Sequence, residues 1–134
     1  MARPKFKHFQ AGEVAAVERF QAKGYLVGEY RFDVPLRTIT KEQEMLVIPV
    51  ERASYLYRSS KKIDLVVETW AAIWIIEVKW KVRPSAVGQL IVYRDMYKEL
   101  FQPAKPIKLG IIAALDDIST RKVAEKMGFT IWIV

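Results

Sequence analysis

The chain has 134 residues, 51% apolar and 28% charged, with a formal net charge of +7 and a pI near 9.7. That length predicts one domain, residues 1–134, able to bury a core without staples. No cysteine and one histidine exclude disulfides, thiolate zinc sites, cysteine nucleophiles and His-rich metal centres.

In chain order, "AGEVAAVERFQAKGY" predicts a helix from about 12 to 23, ended by Gly24. Its apolar stripe is Ala16, Val17 and Phe20, with Val14 at the edge. "YLVGEYRFDVP" predicts a strand closed by Pro35. A polar connection, "LRTITKEQ", leads into "EMLVIPVERASYLYRSS", which carries one or two strand-like pieces. "KKIDLVVETWAAIWIIEVKWK" predicts a hairpin of strands at about 63–69 and 72–80. "VRPSAVGQLIVYRDMYKELF" predicts a helix with Pro84 in its first turn and Ser85 as its cap residue. "PIKLGIIAAL" is a continuously apolar run of the kind buried on both faces of a sheet. "DDISTRKVAEKMGF" predicts a helix stopped by Gly128, and "FTIWIV" a closing strand. This order predicts an α/β fold, a mixed sheet flanked by helices.

No run of 18 apolar residues occurs, and "MARPKFKHFQ" is too polar for a secretory leader. The expectation is a soluble, cytoplasmic protein without a membrane partner. The basic balance suits a polyanion, nucleic acid being the commonest. Between positions 51 and 83, seven basic residues (Arg52, Arg58, Lys61, Lys62, Lys79, Lys81, Arg83) stand against four acids (Glu51, Asp64, Glu68, Glu77). The cationic excess therefore surrounds the hairpin.

The hairpin carries acids where a plain core strand would have none. If it turns around Trp70–Ala71, residue 69 faces 72, and by the same count 64 faces 77. Directly opposed residues place their Cβ atoms roughly 4.5–5.5 Å apart on one face, and Lys79 shares the face of Glu77. Two buried carboxylates repel, and without compensation one takes up a proton. Two accounts are open. One acid is exposed or ion-paired to Lys79, or the pair holds a divalent cation. Mg²⁺ suits hard oxygen ligands, takes one or two carboxylates and keeps waters for substrate phosphate. It would polarise a phosphoryl oxygen and activate water, with Lys79 orienting that water or offsetting charge.

Asp64, twelve intervening residues, then Glu77-Val78-Lys79 resembles the PD-(D/E)XK nuclease superfamily, with "IDLVV" and "IIEVK" as its strand motifs. Ile63 stands where the family name has proline. Two further features extend the likeness. Glu13 precedes Gly24-Tyr25 by eleven residues, similar to the opening-helix Glu of archaeal Holliday-junction resolvases. It lies on the stripe of Ala16, Val17 and Phe20, although a first-turn acid is also favoured by the helix dipole alone. In "VGQLIVYRDMY", Gln89 and Tyr93 resemble the Q-x-x-x-Y motif of the RecB-like branch. Gln89 is the one strongly polar member of its helix face, so it needs a buried partner or a substrate.

The resemblance covers residues 12–101 and implies a restriction-endonuclease-like fold of order α-β-β-β-α-β-α-β. It implies a Mg²⁺- or Mn²⁺-dependent deoxyribonuclease. Asp64 and Glu77 would hold the metal with the Val78 carbonyl, and Glu13 would complete its shell directly or through water. Lys79 would position or deprotonate the water, Gln89 would orient Lys79 or a phosphate, and Tyr93 would support it. Arg58, Lys61, Lys62, Lys81 and Arg83 are expected to grip DNA backbone phosphates, with affinity that is salt-sensitive and indifferent to sequence. Family analogy also suggests a homodimer. ATPase and helicase motifs are lacking, so a motor or repair partner would be another protein. The alternatives are a non-catalytic nucleic-acid-binding module, or an assembly subunit docking through Trp70, Trp74 or Trp80.

Overall fold

The computed structural model describes residues 9–36 and 61–134. The strand-like pieces expected in 44–60, the polar connection before them and Arg58 lie outside the described residues. Among the described residues, eight elements follow in chain order: α1 (Ala11–Lys23), β1 (Gly28–Leu36), β2 (Lys61–Thr69), β3 (Ile73–Lys81), α2 (Pro84–Phe101), β4 (Ile107–Leu115), α3 (Ile118–Lys126) and β5 (Thr130–Ile133). The order is the expected α-β-β-β-α-β-α-β.

The strands form one five-stranded sheet in the order β1-β2-β3-β4-β5. The β1–β2 and β2–β3 pairs are antiparallel, whereas β3–β4 and β4–β5 are parallel. Parallel neighbours need crossover connections, which α2 and α3 supply. Helix α1 packs on β3 and β4, and α2 packs on β3, β4 and β1.

Alternation along β3 and β4 sorts the core into two layers. Leu65, Val67, Ile76, Val78 and Ile112 join Ala16, Val17 and Phe20 on the α1 side. Val66, Ile73, Ile75, Ile111 and Ala113 join Ala86, Leu90 and Tyr97 on the α2 side. The α1 layer is strongly aromatic: Trp132 stacks edge-on to Phe20 at 4.9 Å between centroids and lies 5.3 Å from Trp74.

The helix boundaries follow local chemistry. Gly24 ends α1 at φ 67° with its N–H bonded to Gln21 O, and Gly128 follows α3 at φ 90°; both are left-handed positions that glycine occupies without strain. Two expectations are corrected. Strand β1 passes through Pro35 to Leu36, with Pro35 opposite Lys62. This is permitted because β1 is an edge strand, where a missing ladder donor is tolerated. The residue capping α2 is Arg83, in extended conformation and without a side-chain cap bond. Pro84 takes the first helical position, which leaves Ser85 two residues past the cap position, inside the helix.

Candidate active site

The hairpin register is set by its short turn. Thr69 and Ala72 close it: the Thr69 N–H and hydroxyl both donate to the Ala72 carbonyl, and the Ala72 N–H donates back to Oγ1. The ladder then runs Glu68↔Ile73, Val67↔Trp74, Val66↔Ile75 and Leu65↔Ile76. The same count opposes Asp64 and Glu77, one step past the last ladder pair. There a side chain replaces the backbone acceptor, and the Val78 N–H donates to Asp64 Oδ2 at 2.9 Å.

Both carboxylates are buried, Asp64 8% and Glu77 3% exposed. Lys79 Nζ stands 3.6 Å from Glu77 Oε2, while Glu77 Oε1 is buried with no hydrogen-bond partner. Burial pushes the Glu77 carboxyl up to about 9; the charge of Asp64 adds to the shift, and Lys79 only partly opposes it. The protein alone thus leaves the pair short of positive charge. A proton fills that shortage at neutral pH.

Helix α2 covers this face. Tyr93 lies close enough that the charges of Glu77 and Asp64 raise its phenol, after burial itself, which is the larger cause. Gln89, one turn earlier on the same face, holds its Oε1 buried without a hydrogen-bond partner. Asp64, Glu77, Lys79 and Tyr93 are therefore assembled where the β2–β3 ladder ends, with Gln89 beside Tyr93.

Glu13 is placed differently. Its Oε1 accepts the Gln10 backbone N–H at 3.0 Å, which closes the first turn of α1 as a capping box does. Among the described residues, no three His, Cys, Asp or Glu side chains come close enough to share one metal ion. Glu13 thus does not join Asp64 and Glu77 as a third direct carboxylate. It sits next to Gly12, whose backbone lies so close under the Trp80 indole that an added Cβ would come within 2.6 Å of it.

Of the basic residues, Lys61 and Lys81 are exposed, Lys62 is half-buried, and Arg83 is exposed at the start of α2. All four lie beyond the acids on the side away from the hairpin turn. Lys81 also lowers the Asp117 carboxyl, behind the larger effect of the Thr120 hydroxyl.

Asp33 is absent from the sequence-derived set. It adopts φ 52° and falls at the register position opposite Asp64, between the pairs Phe32↔Leu65 and Val34↔Ile63. The available sequence signal was an acid interrupting an aromatic and apolar strand, the same signal that marks Glu77.

The donor set fits a hard divalent cation. Two carboxylates with one buried unbonded oxygen between them match the protein contribution that Mg²⁺ takes while keeping several waters. Among the described residues, no helix is long and apolar enough to cross a membrane.

No protein-family model and no curated protein matches the chain. Among solved structures it is similar to a repair endonuclease from Pyrococcus abyssi. The match covers 98% of this chain and 49% of that one, with a TM-score of 0.55 and 19% sequence identity. The chain thus spans about half the length of that endonuclease. At this identity the likeness is one of fold: the described residues form a mixed five-stranded sheet flanked by three helices, the architecture shared with that endonuclease.

Proposed function

We propose that this chain is a metal-dependent nuclease of the PD-(D/E)XK type that hydrolyses phosphodiester bonds in DNA. The observation that carries this reading is the buried Asp64–Glu77 pair, with Lys79 at 3.6 Å, at one end of the hairpin. The fold shared with a protein described as a repair endonuclease supports it.

Asp64 and Glu77, with the Val78 carbonyl, would hold Mg²⁺ or Mn²⁺, which supplies Lewis-acid polarisation of a phosphoryl oxygen. Metal binding would displace the proton that Glu77 holds at neutral pH, supplying the positive charge that Lys79 only partly provides. Lys79 positions the attacking water through its ammonium or, as the free amine, takes its proton. Gln89 presents its unbonded amide oxygen to Lys79 and its amide N–H groups to a phosphate, and the Tyr93 hydroxyl supports it. Glu13, held in its helix cap, contributes through water. Lys61, Lys62, Lys81 and Arg83, with Arg58, grip backbone phosphates and fix the scissile bond over the pair. A homodimer would place one site on each strand of a duplex. A separate motor or repair protein would deliver the substrate.

The alternative reading as an assembly subunit rests on Trp70, 94% exposed at the hairpin tip. The deciding experiment is cleavage of labelled single-stranded, duplex, flap and four-way-junction DNA, and RNA, with Mg²⁺ or Mn²⁺. Asp64→Ala, Lys79→Ala and EDTA serve as controls. Metal-dependent cutting that disappears in both variants is the expected result. Wild-type protein that binds these substrates yet cuts none with either metal would sink the catalytic reading in favour of a binding module.

A further inference from the structure

Strand β1 contains one residue in a conformation that strands do not use. Asp33 has φ 52°, in the left-handed region that short polar side chains such as Asp tolerate and β-branched ones do not. The pairs on either side, Phe32↔Leu65 and Val34↔Ile63, keep the same count. No residue is inserted, yet the β1–β2 ladder skips the step between Asp33 and Asp64.

The packing changes at the same step. Tyr30, Phe32, Leu65 and Val67 pack in the α1 layer, whereas Val34, Leu36 and Ile63 pack in the α2 layer. Strict alternation would have kept Phe32 and Val34 on one side, and likewise Leu65 and Ile63. Both strands therefore turn over at Asp33 and Asp64. At the turnover, Asp64 Oδ2 accepts the Val78 N–H, a donor that would otherwise look to a backbone carbonyl of β2.

We propose that Asp33 is a positioning residue for the buried carboxylate pair: its left-handed backbone, rather than its charge, turns β1 and β2 at the level of Asp64 and holds that carboxylate on the Val78 amide beside Glu77. Asp33 touches no reacting atom in this scheme. Its importance for catalysis rests on the nuclease reading; its effect on the geometry of Asp64 does not.

The test compares Asp33→Gly and Asp33→Asn, which accept positive φ, with Asp33→Val, which resists it. Hydrogen exchange of the Val78 amide in the metal-free protein reports the Asp64 bond without any cleavage. Mn²⁺ affinity and the kcat-against-KM split of cutting are measured beside it. Gly and Asn should keep Val78 exchange and kcat within about threefold of wild type. Val should speed that exchange at least about tenfold and lower kcat by a similar factor with little change in KM. If Asp33→Val does not fold by circular dichroism, Asp33→Ala takes its place, with the same direction expected. A wild-type Val78 amide in the Val or Ala protein overturns the proposal. So does a Gly protein as impaired as Val, because the carboxylate would then be what matters. If wild type cuts nothing, the exchange comparison still decides the role of Asp33, so the two failures remain distinguishable.

Discussion

Glu77 makes the protein less stable as the solution becomes more alkaline. Its carboxyl releases a proton near 4.5 when unfolded and near about 9 when folded, so between these values the unfolded state binds fewer protons. Stability from this group is fully present below pH 4.5 and is lost as pH rises through about 9. Glu77→Gln should remove that slope. In metal-free buffer at pH 8 the variant should be more stable by on the order of 5 kcal/mol, converging with wild type below pH 4.5. Thermal melts across that range check it. Gln89 shows the same opposition between stability and use. Replacing its unbonded buried oxygen, as in Gln89→Met, should leave stability unchanged or raise it by about 0.5–1 kcal/mol while lowering cleavage. Glu13→Ala should cost about 0.5–1.5 kcal/mol through its lost Gln10 bond. A loss of cutting well beyond that shared by other equally destabilised variants would identify a role through water.

At the scale of elements, Gly110 on β4 leaves the room that the Trp132 side chain of β5 takes up. The Trp132 ring lies directly against the space a side chain would need there, and Phe20 and Trp74 hem that ring in. Gly110→Ala should therefore cost about 1–3 kcal/mol through overpacking, seen as a lower Tm with altered tryptophan fluorescence. Much of the element order is legible in the sequence because its signals are local. Turn chemistry at 69–72 dictates the count that opposes residues 64 and 77, and the four-residue spacing of Gln89 and Tyr93 puts them on one helix face. What escapes is what neighbours decide. Whether Pro35 ends a strand depends on that strand lying at the sheet edge. Whether Ser85 caps a helix depends on Pro84 already occupying its first position. The left-handed turn at Asp33 escapes because Asp tolerates positive φ without requiring it, so the residue alone does not announce the turn. Glu13 reads as a site residue or as a first-turn acid favoured by the helix dipole, and only its Oε1 bond to the Gln10 N–H shows which contact it makes.

Over the whole molecule, the net charge of +7 predicts binding to DNA that weakens steeply with salt. Four phosphate contacts from Lys61, Lys62, Lys81 and Arg83 would give a slope of log affinity against log salt of roughly −3 to −4. Replacing any one of them by alanine should reduce that slope by about 1 without altering sequence preference, as filter binding or fluorescence anisotropy would show. The aromatic packing of α1 has a different consequence, for how the protein is made. Phe20 in the first helix completes its contacts on Trp132, which is 112 residues further along the chain (132 − 20). A ribosome adds about 5–20 residues per second, so the apolar stripe of α1 emerges several seconds before the strand that will cover it. During that interval the nascent helix must stay loose or be shielded, and that side of the sheet can close only after position 132 has left the exit tunnel.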